Sequence, residues 1–291
     1  MNPACPSCAA LCSIKYGHFY RHDDAQYVQR YRCKACNKCH CSATHQPAYR
    51  HKRRRLNNLI KIDIVYGTGQ RDIARKHRCA RKTVARKITF LAEQARLHVA
   101  AWLQKQARFE HVQWDELITF EHTRLKPVSV AVMVAADTRT ILGFGVAPIP
   151  ASGLIAKRSV EKYGKRPDKS GSMRKKVLKQ VAPSLHSKVF IETDEHKRYA
   201  VEIKQAIPEA QHVQHSSVRG SLTGQGELKR TGFDPLFTIN HTLGMLRDNI
   251  KRLTRRNWCT TKKPEVLADI LAIYQHHHNT VVVLNPAKSQ S

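Results

Sequence analysis

The segment His111–Glu121 sets the tightest constraint on what this chain can fold into. It reads His-Val-Gln-Trp-Asp-Glu-Leu-Ile-Thr-Phe-Glu, a strand-length apolar run with two acids, Asp115 and Glu116, in its middle. An edge strand with its acids in water would carry the same pattern. A second segment repeats it: Lys188-Val189-Phe190-Ile191-Glu192-Thr193-Asp194 is apolar up to an acidic end, and the residues between have room for two strands and a helix. Carboxylates delivered from two strands of one sheet can hold two divalent ions, roughly 3.5–4 Å apart, that clamp the attacking and leaving oxygens of a phosphoryl transfer. That is the chemistry of nucleic-acid cleavage and strand transfer.

Charge points to the same partner. The 291 residues carry 51 Lys and Arg against 22 Asp and Glu, a formal net charge of +29. Such an excess goes beyond what solubility requires and fits a polyanion, nucleic acid before an acidic membrane surface. No apolar run approaches the roughly 18–20 residues that span a bilayer, the longest being Val128–Ala136. The start, Met-Asn-Pro-Ala-Cys, lacks the basic-then-apolar order of a signal peptide. These features lead us to expect a reducing cytoplasm and no membrane partner.

Seven of the nine cysteines fall within the first 41 residues. A disulfide framework would need an oxidising compartment, which nothing in the chain announces. Cys5-Pro6-Ser7-Cys8 and Cys33-Lys34-Ala35-Cys36 are two CxxC knuckles, and together they supply the four thiolates of a tetrahedral zinc site. Cys12, Cys39, His40 and Cys41 are spare donors, expected to stand by.

The basic run Arg50-His51-Lys52-Arg53-Arg54-Arg55 follows, either a solvated linker or a set of phosphate contacts through Arg53, Arg54 and Arg55. Leu59, Ile62, Ile64 and Val65 then predict a helix stopped by Gly67-Thr68-Gly69. Gln70–His77 and Thr83–Ala95 predict two more, joined by Arg78-Cys79-Ala80. This is a helix-turn-helix pattern, whose third helix would bring Arg81, Lys82, Arg86 and Lys87 to a DNA groove. A three-helix bundle with a basic skin would read the same way. Residues 1–110 hold 23 Lys and Arg against 6 Asp and Glu, so the DNA-binding charge is expected in front.

Behind it, Val112–Ala147 predicts three consecutive antiparallel strands, Lys188–Thr193 a fourth, Arg198–Ala206 a helix and Gln211–His215 a fifth strand. Lys157–Lys179, with ten Lys and Arg, reads as a mobile surface insertion or as a loop that orders on DNA, closed by a helix at Met173–Val181. Leu236, Ile239, Leu243, Leu246, Ile250 and Leu253 form the apolar stripe of one long helix. At about 100° per residue, Asn240 and Arg247 lie on one flank of that stripe and Asp248 points away from it. An Asn carbonyl can coordinate a hard cation, though without charge. Glu227, in the loop before the helix, is the competing acid. Glu265–His278 predicts a tail helix packed on the sheet, with His276-His277-His278 a surface tract.

The order of parts resembles bacterial insertion-sequence transposases of the insertion-sequence-one type and their relatives. Arg30–Lys38 is similar to the second knuckle of their zinc ribbons. Trp114-Asp115-Glu116-Leu117 is similar to their first catalytic motif and Thr193-Asp194 to the second. Asn240-His-Thr-Leu-Gly-Met-Leu-Arg247, followed by Arg255–Lys262, resembles the last. Many members have Glu where this chain has Asn240, and some subgroups have Asn with a basic residue seven positions on. The resemblance implies a multidomain protein: a four-cysteine zinc ribbon (1–47), an all-α helix-turn-helix domain (48–100), and an α/β RNase H-like domain (101–291). That last domain would have a mixed five-stranded sheet and a basic insertion at 150–186. It also implies that Asp115 and Asp194, completed by Asn240, hold Mg²⁺ or Mn²⁺, that Arg247 neutralises a phosphate, and that Zn²⁺ sits in the ribbon. The partners implied are double-stranded DNA at element ends and target, and further copies of the chain. A DNA-binding regulator that keeps the catalytic domain only as a scaffold, and an RNase H-type nuclease, are the competing functions.

Overall fold

The computed structural model describes residues 2–22, 25–216, 234–254 and 259–284. Glu227 and Arg255–Trp258 lie outside the described residues. The chain divides into two compact units, Met1–Ile62 and Asp63–Ser291.

The first unit is built on a three-stranded antiparallel sheet, β1 (Ser13–Arg21), β2 (Gln26–Cys33) and β3 (Cys39–Cys41), in that order. Among its described residues the apolar cluster on this sheet is Val28, Cys41 and Ala43, and Cys5 and Cys33 are buried as well. So small a core cannot hold a fold by burial alone, and a bound metal is the natural supplement. The helix α1 (Leu56–Val65) begins in this unit and ends in the second. Leu56, Ile60 and Ile64, spaced by four, are its buried stripe, whereas Leu59 and Ile62, expected to be inside, are exposed.

In the second unit α2 (Gln70–Lys76) and α3 (Arg81–Leu103) follow. Asp63, at the end of α1, is buried and accepts bonds from Lys76 Nζ and His77 Nε2, each at 2.6 Å. Helix α3 runs eight residues past the expected Ala95, because Ala95 and Val99 continue its buried side.

The central sheet has five strands: β4 (Phe109–Phe120), β5 (Pro127–Ala135), β6 (Ile141–Pro148), β7 (Leu185–Asp194) and β8 (Gln211–His215). They lie in the order β6-β5-β4-β7-β8, antiparallel through β6-β5-β4 and parallel through β4-β7-β8. The mixed five-stranded sheet is as expected. All nine residues of β5 are buried, so the strand is apolar without alternation, as a strand covered on both faces must be.

On one face lie α5 (Ser170–Val181) and α6 (Tyr199–Ala206). Their contacts with the sheet include Met173, Val177, Leu178, Tyr199 and Ile203 against Val112, Trp114 and Met133. The Trp114 and Tyr199 rings stack at 4.7 Å. Helix α5 seats closely because β6 offers glycines: a Cβ on Gly143 would come within 2.5 Å of Val181 Cγ2, and one on Gly145 within 2.5 Å of Met173 Sδ. The basic stretch after β6 is therefore no mobile insertion. It forms α4 (Ala156–Tyr163) and then α5, whose Arg174 is one of the most buried side chains in the chain.

The other face carries α7 (Phe237–Asn249), with Ile239, Leu243 and Leu246 inward. Helix α8 (Pro264–His277) packs on α3 and β6. The histidine tract that follows is not all on the surface: His278 is fully buried, and its Nε2 donates to the Arg139 carbonyl at 2.9 Å. Beside it, Asn279 bonds both the N–H and the carbonyl of Ile141, fastening the tail to β6. Among the described residues no helix is long and apolar enough to cross a membrane.

Candidate active site and cysteine centre

Strands β4 and β7 run parallel, with Gln113 opposite Glu192 and Trp114 opposite Thr193. The next step of that register sets Asp115 beside Asp194, and residues opposite one another share a face. Their proximity shows electrostatically. Burial pushes the Asp115 carboxyl up to about 6; the Glu116 N–H, at 2.6 Å, opposes this, the negative charges of Asp194 and Glu116 add to it, and Arg247 opposes it. Two half-buried carboxylates that repel each other are a site that gains from a cation, and oxygen donors suit Mg²⁺ or Mn²⁺. Arg247, on α7, faces the same carboxylate.

Glu116 is not part of this site. It points to the opposite face, where Arg174, Tyr199 and Ser129 donate to it. Arg174 also makes two bonds to Glu202, at 2.6 and 2.9 Å.

Three residues that the sequence reading did not single out fix α7 over the acids. Gln113 Nε2 donates to Glu192 Oε2 at 2.8 Å and to the Pro235 carbonyl at 2.7 Å, while its Oε1 accepts the Ile239 N–H at 2.9 Å. Glu192 also accepts from His111 Nε2 at 2.7 Å and His215 Nε2 at 2.9 Å. Burial works against the charge on Glu192, but the bonds from Gln113, His111 and His215 outweigh it and hold its carboxyl below the usual range. A signal was available: Glu192 and Asp194 stand two apart on a strand, as do Gln113 and Asp115, so each pair shares a face. The third, Asp234, accepts the Leu236 N–H at 2.9 Å just ahead of α7 and accepts from Asn240 Nδ2 at 2.8 Å. Asn240 is exposed at the start of α7 with its amide nitrogen so engaged, and Asp248 is exposed as well.

In the first unit the donor atoms of Cys5, Cys8, Cys33 and Cys36 lie within 4.8 Å of one another. Cys5 Sγ is 3.5 Å from Cys36 Sγ, and Cys8 Sγ 3.6 Å from Cys33 Sγ. These separations are far above the roughly 2.05 Å of a disulfide and close to the edge, about 3.8 Å, of a tetrahedron with Zn–S bonds of about 2.3 Å. The two knuckles are built alike. The Ala9 and Asn37 N–H groups donate to the Cys5 and Cys33 carbonyls at 2.8 and 2.9 Å, with both residues at positive φ (59° and 61°). The Cys5 and Cys33 N–H groups donate forward to the Ala10 and Lys38 carbonyls. The Cys36 N–H brings the Cys33 thiol down to about 6, toward the thiolate that zinc requires. Cys12, 3.9 Å from Cys33, and Cys39 are exposed; His40 bonds Ser13 and Cys41 packs on Val28.

Of the basic residues expected on DNA, Arg81, Lys82 and Arg86 are exposed on the first turns of α3. Lys87 is buried, on the side of α3 that carries Val84 and Ile88, so it leaves that set. Arg55 is exposed, while Arg53 and Arg54 are half-buried and engaged within the protein.

No protein-family model and no curated relative matches the chain. Among solved structures it is similar to the Mos1 strand transfer complex, at 10% identity and a TM-score of 0.26 over 84% of this chain and 78% of that one. The catalytic domain of Mos1 mariner transposase is similar at 12% identity and a TM-score of 0.23, over 70% and 93%. The Mos1 catalytic domain with Raltegravir and Mg is similar at 11% and 0.26, over 70% and 94%. At such values the functional reading rests on the site and not on these neighbours.

Proposed function

We propose that the chain is a DNA transposase of the insertion-sequence-one kind that cleaves and joins DNA strands at the ends of a mobile element. The observation that carries this reading is the pair Asp115–Asp194 on neighbouring parallel strands, half-buried, mutually repelling and faced by Arg247. A protein that used this domain only as a scaffold would have no reason to keep a repulsive pair, so the regulator reading is the weaker one.

Asp115 and Asp194 would hold Mg²⁺ or Mn²⁺. When bound, such ions supply Lewis acidity at the phosphate and lower the pKa of the attacking water or 3′-hydroxyl. With Nδ2 tied to Asp234, Asn240 has Oδ1 left to offer as a neutral oxygen donor. Arg247 would neutralise a non-bridging oxygen of the scissile phosphate, where charge gathers in the transition state. Cys5, Cys8, Cys33 and Cys36 would bind one Zn²⁺ that folds the ribbon. Helices α1 to α3 would act as the helix-turn-helix module, with Arg81, Lys82 and Arg86 on DNA and Arg53, Arg54 and Arg55 adding charge. Two copies would join two element ends. The domains would be the ribbon over 1–47, the helix-turn-helix over 48–100 and the RNase H-like catalytic domain over 101–291.

The test is a nicking and joining assay on DNA carrying the element ends, in Mg²⁺ or Mn²⁺. Asp115→Asn and Asp194→Asn should each abolish both steps while DNA binding persists. Binding by the unmutated protein with neither nicking nor joining would transfer the case to the regulator.

A further inference from the structure

The site has two carboxylates where two divalent ions call for more donors, and the third strand of its parallel half carries one. On β8, His215 stands opposite Asp194, so Asp115, Asp194 and His215 form one row across three adjacent strands, about 4.8 Å apart, on one face. His215 is partly exposed, and its Nε2 is bonded to Glu192. A carboxylate only accepts, so Nε2 carries the hydrogen, and in the neutral ring Nδ1 is left with the lone pair. A carboxylate that takes one ring N–H and thereby fixes the other nitrogen as donor is the usual backing of a metal-bound histidine. Glu192 has no other task at the surface: it is buried, with His111 and Gln113 filling its remaining acceptor positions. His111 also bonds Glu192, but it lies opposite Phe190, two side-chain repeats below the acids, and its Nδ1 faces Asp137 at 3.8 Å.

We propose that His215, backed by Glu192, is a further metal ligand of the Asp115–Asp194 site, bound through Nδ1. The proposal rests on the reading of that pair as a metal site. Among the described residues only the four cysteines have three or more donors gathered within 4.8 Å, so the row of Asp115, Asp194 and His215 is an open one that an ion would draw in. An imidazole ligand shifts preference from Mg²⁺ toward Mn²⁺, and the site should bind Mn²⁺ the more tightly of the two.

The experiment uses the full-length, zinc-loaded protein titrated with Mn²⁺ alone, followed by pulsed electron paramagnetic resonance. A nitrogen-14 modulation from a bound imidazole is expected in the unmutated protein. It should vanish in His215→Asn, together with a loss of Mn²⁺ affinity of roughly tenfold or more. It should persist in His212→Asn, whose ring lies on the other face beside Thr193 Oγ1. Glu192→Gln should weaken Mn²⁺ binding without removing the modulation. If Mn²⁺ binds and Asp115→Asn abolishes binding, yet the unmutated protein shows no nitrogen modulation, His215 is no ligand and the two-acid reading stands. Modulation that survives in His215→Asn has the same meaning. Failure of the unmutated protein to bind Mn²⁺ at all would overturn both.

Discussion

Asp115 spends folding energy to be where it is. Its carboxyl titrates near 6 in the folded chain against 3.8 for an ordinary aspartate, so between those values the folded state holds more protons than the unfolded one. Metal-free stability therefore falls as pH rises from about 4 to 6, by on the order of 2–3 kcal/mol. Asp115→Asn should recover most of that at pH 8 and little at pH 4, as measured by denaturant unfolding in EDTA-treated buffer. Mn²⁺ should raise the Tm of the unmutated protein and not of the variant. Asp63 has the opposite sign. Burial works against its charge, but the bonds from Lys76 and His77 outweigh that and lower its pKa. Its contribution is present at neutral pH and lost as pH falls below the ordinary aspartate range. Asp63→Asn should cost about 1–3 kcal/mol at pH 7, and an unchanged denaturation midpoint would remove that assignment. At this scale the sequence showed Asp115, Asp194 and Arg247, because acids among apolar neighbours and helical spacing are local signals. It did not show Glu192, Asp234 or His215, whose importance comes from partners far along the chain.

Among the elements, α7 depends on one side chain of another. Gln113 joins the start of that helix to β7, and its three bonds leave no part of the amide idle. Gln113→Leu would strand the Ile239 N–H and the Pro235 carbonyl, costing about 1–3 kcal/mol per unsatisfied group. Hydrogen exchange should show residues 237–243 opening more readily, while the amides of β5 keep their protection. Equal loosening of both would mean that Gln113 supports the whole domain rather than this helix. The five strands were legible from alternation and apolar runs, since β-branched stretches between turn residues say little else. Helix α5 was legible only from Met173 on, and α4 not at all, because the basic residues from 157 to 179 conceal the apolar spacing ahead of Met173. Nor did the run of histidines at the end of α8 reveal that His278 is fully buried against a carbonyl.

For the whole molecule, the two units should answer to different reagents. Among the described residues the sheet of the first unit packs an apolar cluster of just Val28, Cys41 and Ala43, and a strong chelator that removes the proposed zinc should unfold it. The second unit should keep its melting transition under the same treatment. Elemental analysis should return about one zinc per chain, and retention of all of it after Cys33→Ser and Cys36→Ser together would discard the four-cysteine site. A net charge of +29 predicts steep salt dependence of DNA binding, with log affinity falling by about 0.9 per phosphate contact per log unit of salt. Loss of Arg81, Lys82 and Arg86 should flatten that slope, whereas Lys87→Ala should act on stability and leave it alone.

The glycine pair in β6 reaches further than the packing it permits. Gly143 and Gly145 let α5 settle against the sheet, α5 carries Arg174, and Arg174 holds Glu116, the residue next to Asp115. A methyl group at either glycine would lift the helix on one side of the sheet and slacken the grip on β4 from behind. Such a lesion would leave Asp115, Asp194 and Arg247 in place and make the proposed activity heat-sensitive, present in the cold and lost a few degrees above it, a thermostat set by two missing side chains.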